Sequence, residues 1–482
     1  MASRHALHGG LRLDAHKQRS TAKPLRAASI SERFVIPLDQ HSGSPAKPLV
    51  KPATRVRMGQ SIAQPGPGIS AWLHAPASGE VIAIEPRPAP HRLGAPSLSI
   101  VIANDGRDER HESNIGIDFE QLSPAETCNH IALGGIVGLG GAAFPTANKL
   151  ESSLFEDGPR LLLNGAECEP YISCDEILMR ERAADIVFGA RVLMHALCAK
   201  DCTIAVEDDV PQAAAALRKA IDAAADQRIH VRVVPSVYPA GGERQLIASV
   251  FGVEVPHDGF PANIGVVCQN VGTAAAIARW VRDGEPLISR IVTVTGDGVR
   301  EPGNLETRIG TPIASIVADC GGYTERMSRL IMGGSMMGAS LPHDDLPVLK
   351  ATNCVVAASN LDLQPRGPEM PCIRCGACSQ ACPAFLLPQQ LHWYLHPYDG
   401  EQLHRHGLLD CIECGCCDYV CPSQIPLVER FREAKPLLTR ELDARVEADA
   451  ARARYYARNE RLERLEAEHR AKLAEKRVKR GG

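Results

Sequence analysis

Cys372-Ile373-Arg374-Cys375-Gly376-Ala377-Cys378-Ser379-Gln380-Ala381-Cys382-Pro383 is answered later in the chain by Cys411-Ile412-Glu413-Cys414-Gly415-Cys416-Cys417-Asp418-Tyr419-Val420-Cys421-Pro422. Each run reads C-x2-C-x2-C-x3-C-P, the spacing at which thiolates ligate 4Fe-4S clusters, three from one run and the fourth from the other. This predicts Cys372, Cys375, Cys378 and Cys421 around one cluster, and Cys411, Cys414, Cys417 and Cys382 around the second. Gly376 and Gly415 let the ligand loop turn. Zinc sites more often pair two separated C-x2-C units, and disulfides belong to oxidising compartments. Cys416 falls outside the repeated spacing and is read as a non-ligand.

The remaining composition narrows the function. A chain of 482 residues has length for about three or four domains. A net charge of -4 and 4% aromatic residues leave no footprint for nucleic acid. The cysteines outside the two runs show no pairing pattern, as in a reducing compartment. No run of about 18 apolar residues is present, so membrane association is expected to be peripheral or through partner subunits. The basic stretch 1–30 lacks an apolar segment and is read as a surface tail on the domain behind it.

Residues 31–115 carry short apolar runs cut by Gly and Pro, such as Gly79-Glu80-Val81-Ile82-Ala83-Ile84, and are expected to form a small β module. Within it, Val56 to Pro86 resembles half of a biotinyl/lipoyl-type barrel-sandwich domain, without a lysine in the turn to modify. In 120–285, a glycine-dense stretch, Leu133 to Thr146, includes Gly138, Gly140 and Gly141 and leads to Lys149. Glycines this dense admit a ligand close to the backbone, and a phosphate suits such a turn. Ile204–Val206 and Ile229–Val234 read as buried strands around an Ala-rich helix, Gln212–Ala224, a βαβ pattern that predicts a Rossmann-like parallel sheet. The tail 426–482 reads as a charged helix with only weak heptads.

Taken together, the glycine stretch, Asn164-Gly165-Ala166-Glu167-Cys168-Glu169-Pro170, Gly241-Gly242-Glu243 and Asn270-Val271-Gly272-Thr273 resemble the NADH- and FMN-binding domain of the complex I flavoprotein. The resemblance implies that Gly138, Gly140, Gly141 and Lys149 hold the FMN phosphate and that Phe144 stacks in the nucleotide cleft. It implies too that Asn164, Glu167 and Glu169 face flavin and NADH, with Glu243 and Asn270 in the matching blocks. Ala166 and Arg244 depart from that family's acidic residues. Residues 286–345 resemble the β-grasp (SLBB) domain that follows the flavin domain in that flavoprotein, and 365–425 a double 4Fe-4S ferredoxin domain with a helical insert.

The order of modules resembles the C-subunit family of Rnf/Rsx ion-translocating oxidoreductases. That family implies a peripheral protein on the cytoplasmic face of the bacterial inner membrane, passing electrons between NAD(H) and, indirectly, ferredoxin or flavodoxin. It also implies partner subunits, among them a ferredoxin-like iron–sulfur protein, and coupling to Na+ or H+ movement. Two other readings remain open: the diaphorase component of a soluble NAD-linked hydrogenase or formate dehydrogenase, and a non-catalytic electron wire or scaffold.

Overall fold

The computed structural model describes residues 7–90, 96–112, 115–151, 158–257, 259–363 and 366–479, without the side chains of 477 and 478. Residues 1–6 of the expected tail, 364–365 of the expected linker and Arg480 of the basic terminus lie outside the described residues. Two compact units result, Met1–Pro368 and Glu369–Gly482.

The first unit begins with a β sandwich. Arg33–Pro37, Pro96–Asn104, Gly79–Pro88 and Arg55–Val56 form one antiparallel sheet in that order, and Lys47–Pro48, Ser61–Gln64 and Leu73–His74 form a second. Alternation along Gly79–Pro88 and Pro96–Asn104 puts Val81, Ile100 and Ile102 inside at 0% exposure. A parallel sheet follows, ordered Ile229–Val234, Cys202–Glu207, Arg160–Gly165, Val266–Asn270. Helix Pro211–Ala224 makes the expected βαβ crossover, starting on a proline that needs no donor there and burying Ala213, Ala214 and Leu217. The strand Ile229–Val234 differs from its expected burial. It is the sheet edge, and Val233 remains 46% exposed.

A six-stranded mixed sheet completes this unit, in the order Arg26–Ala27, Gly303–Arg308, Ser289–Thr295, Cys354–Ala358, Arg329–Met332, Ala339–Leu341. The sheet draws its central strand Cys354–Ala358 from beyond residue 345 and an edge strand from the N-terminus. The segment expected as a surface tail is thus partly interior. Lys17 and Ser20 are buried, and Lys17 Nζ lies 3.3 Å from the equally buried Glu207. An apolar interior does not hold an unpaired ammonium, so Glu207 is what allows Lys17 to enter.

The second unit is helical, and no strand occurs among its described residues. Helices Pro388–Tyr394 and Gly400–Arg405 pack Leu391 and Leu403 against Phe431 and Leu438 of the long helix Leu427–Val478. Past Leu442 that helix packs on nothing described, and its charged residues are solvated.

Candidate functional site

The parallel sheet changes direction between Arg160–Gly165 and Val266–Asn270: later strands add on one side of the first, and Val266–Asn270 returns on the other. Crevices for ligands open at such switch points, beyond the carboxyl ends of the strands. Asn164 and Asn270 are register partners at that end. Asn164 Nδ2 donates to Gly241 O at 2.8 Å, while its Oδ1 accepts from the N–H of Ala166. Asn270 caps helix Val271–Asp283 by accepting from Gly272 N–H and donates to Asp175 Oδ2 at 2.6 Å.

The glycine stretch closes over this end as a hairpin. Val137 bridges Pro145, and Gly138 N–H donates to Phe144 O at 2.8 Å. Its tip, Gly140 to Ala142, is exposed. Gly140 sits 3.4 Å from Asn270 at its Cβ position, and Gly141, at φ +113°, has open space where a side chain would be. Phe144 is half-buried. Thr146 Oγ1 is buried with no hydrogen-bond partner among the described residues. The Lys149 ammonium, on the helix Thr146–Glu151 that follows, pairs with Glu243, which opens helix Glu243–Phe251. An exposed glycine tip, an unpartnered hydroxyl and a nearby cation suit a phosphate-bearing flavin in chemistry and in room.

The two glutamates of the Asn164–Pro170 block have different surroundings. Glu167, 9% exposed, accepts from the N–H groups of Asp175 and Glu176 and so caps helix Cys174–Glu181. Burial and the neighbouring Asp175 hold its carboxyl well above the usual range. Glu169 accepts instead from Met336 N–H at 2.8 Å and Met337 N–H at 2.9 Å. It thereby fastens the loop between Arg329–Met332 and Ala339–Leu341, and burial raises its pKa too. Gly334 is required there, because a Cβ would stand 2.1 Å from Glu169 Cγ. Arg244 donates to the carbonyls of Pro256 and Gly259, so the residue that departs from the flavoprotein pattern clamps a neighbouring loop.

Two basic side chains absent from the sequence reading support the glycine hairpin. Lys350, 1% exposed, donates from Nζ to Gly135 O at 2.6 Å and Trp72 O at 2.8 Å, and burial lowers its pKa to about 7. Arg290, also buried, donates to Lys350 O and to Leu139 O. Their only sequence signal is a basic residue within an apolar run, Leu346 to Val356 in the case of Lys350.

In the second unit the two cysteine runs share one backbone course. Arg374 and Glu413 both have φ 57°, and Gly376 and Gly415 take φ 78° and 80° to open helices Ala377–Ala381 and Cys416–Tyr419. Cys382 of the first run lines one cavity with Cys411, Cys414 and Cys417 of the second. Cys416 lines it as well, in contact with Cys414. Hydrogen bonds from Met370 N–H to Ser423 O and from Ser423 Oγ to Pro371 O bring the end of the second run beside the start of the first. The thiols of Cys382, Cys411, Cys414 and Cys417, with Cys416 beside them, line this apolar cavity, a donor set that fits an iron–sulfur cluster.

Known proteins share this arrangement. Residues 5–107 match the RnfC barrel sandwich hybrid domain, 131–279 the Nuo51 FMN-binding domain, 291–340 the SLBB domain and 371–425 the 4Fe-4S dicluster domain. The C-subunit of the ion-translocating oxidoreductase complex of Haemophilus influenzae (strain PittEE) is 43% identical over 95% of this chain and 70% of its own length. The chain belongs to that RnfC family. The Pseudomonas aeruginosa member is 47% identical over 97% of this chain, and that of Serratia proteamaculans 44% over 97%. The chain spans 60% and 66% of those two relatives. It carries an FMN-binding domain and a 4Fe-4S dicluster domain.

Proposed function

We propose that this chain is the NAD(H)-facing electron-transfer component of a membrane complex that couples electron exchange between NAD(H) and ferredoxin or flavodoxin to Na+ or H+ translocation. The observation that carries the reading is the exposed glycine hairpin over the Asn164–Asn270 switch point, in one chain with a thiol-lined cavity. Bound there, FMN supplies the exchange between a two-electron nicotinamide and one-electron 4Fe-4S clusters that no side chain offers. Gly138, Gly140 and Gly141 leave room for it, and Lys149 meets its phosphate with Glu243 steadying the ammonium. Phe144 lines the nucleotide side, and Asn164 and Asn270 hold the floor. Glu167 caps helix Cys174–Glu181 beside the cleft, while Glu169 closes one wall through Met336 and Met337. Cys372, Cys375, Cys378 and Cys421 take one cluster, and Cys382, Cys411, Cys414 and Cys417 the other.

Among the described residues no helix is long and apolar enough to cross a membrane. Membership of the RnfC family supports the further reading that the chain sits on the cytoplasmic face of the bacterial inner membrane through partner subunits, one of them a ferredoxin-like iron–sulfur protein. The test is anaerobic assembly followed by flavin and iron analysis and NADH-dependent bleaching of the cluster absorbance. Flavin with about eight irons, reduced by NADH, is expected. A chain that holds iron but neither flavin nor NADH-dependent reduction would be an electron wire.

A further inference from the structure

The two cysteine runs present opposite charges at the same backbone position. Arg374 is exposed, and its guanidinium lies 4.5 Å from the centre of the Trp393 ring. Glu413, its counterpart, accepts from Arg432 Nε at 2.8 Å and from Lys435 Nζ at 2.9 Å. Lys435 also donates to the backbone carbonyl of Cys411. Its side chain is 18% exposed, so water screens it far less than it screens Arg374. At the second run two cations therefore enclose the Glu413 carboxylate, the Asp418 carboxylate lies 3.9 Å from Cys417 Sγ, and the Lys435 ammonium is the charge fastened to a cysteine's own peptide.

Thiol burial differs in parallel. Cys382, Cys414 and Cys417 are buried and Cys411 partly so, whereas Cys375 is exposed and Cys372, Cys378 and Cys421 are intermediate. One-electron reduction adds one negative charge to a cluster and breaks no bond. Burial opposes that added charge, and a nearby cation favours it.

We propose that Lys435 is a tuning residue that raises the reduction potential of the cluster held by Cys382, Cys411, Cys414 and Cys417, offsetting its burial and separating it from the more exposed cluster. This rests on the ligand sets proposed above. Its sign is fixed by electrostatics: removing the ammonium lowers that potential, and removing the Glu413 carboxylate raises it. A residue that only held the loop in place would not give opposite signs.

The experiment is an EPR-monitored potentiometric titration of the full chain, assembled anaerobically, with iron counted in every sample. The unaltered chain should hold about eight irons and show two one-electron waves. Lys435→Met should move one wave to lower potential and leave the other in place. Lys435→Arg, which keeps the charge, should return it towards its original position, and Glu413→Gln should move the same wave upward. Should Lys435→Met lose iron, Glu413→Gln decides alone. Both waves unmoved in a variant with full iron, or Lys435→Met and Glu413→Gln shifting a wave in the same direction, overturns the tuning role. Iron for only one cluster in the unaltered chain overturns the ligand assignment instead.

Discussion

Lys350 shows how much one side chain decides. Among the described residues its amine donates to two carbonyls and no carboxylate is bonded to it, and burial lowers its pKa from 10.5 to about 7. Between those values the unfolded chain binds the extra proton, so the group's contribution to stability grows as pH rises from 7 and is smallest below it. From about pH 7 to about pH 9 the gain is about 2 kcal/mol. Lys350→Met should remove that increment, read as the difference between the two proteins' thermal unfolding curves followed by tryptophan fluorescence; parallel pH profiles would refute it. Lys149 is a different case, partly exposed and paired with Glu243. Lys149→Ala should lower flavin affinity about tenfold, the loss of one charge-assisted hydrogen bond, measured by fluorescence of released flavin. Iron content should stay unchanged. A variant that binds flavin normally would place the phosphate elsewhere.

Elements distant in sequence build the cleft walls. The loop after Arg329–Met332 meets Glu169 so closely that Gly334→Ala has no room without displacing it. That substitution should cost about 1–3 kcal/mol and depress NADH oxidation more than flavin content, a split that steady-state kinetics with flavin analysis resolves. The N-terminal segment behaves similarly. Leu11 exchanges backbone hydrogen bonds with Tyr238, and Tyr171 N–H donates to Ala15 O, so the segment lies across the flavin domain before Arg26–Ala27 joins the next sheet. Lys17→Met would leave Glu207 buried without its cation, at a cost of about 3 kcal/mol measurable by denaturant unfolding. A variant as stable as the parent would mean that Glu207 is protonated in both. Amphipathic patterning in Pro211–Ala224 announced its helix plainly, because helix burial is a local, periodic property. The role of the N-terminal segment had no such signal, since it depends on partners 153 to 343 residues away.

For the whole molecule, the exposed length of helix beyond Leu442 and the mode of membrane attachment make separate predictions. Truncation after Asp443 should leave flavin and iron content intact, because the removed side chains pack on nothing described. If the proposed partner docking holds the protein at the membrane, a high-salt wash should not release it, whereas deletion of the partner subunits should. A basic helix acting alone would give the reverse, since exposed charges are screened within about 10 Å at about 0.1 M salt. The cysteine runs were legible because cluster ligation needs thiols a few residues apart, and the glycine hairpin because its glycines stand so close together in the sequence. Arg290 and Lys350 beneath that tip, Glu169 turned to Met336 and Met337, and the different surroundings of Arg374 and Glu413 were decided by tertiary packing. Each depends on partners from other elements of the chain, where only the folded environment determines whether a charged side chain is solvated, buried or bonded.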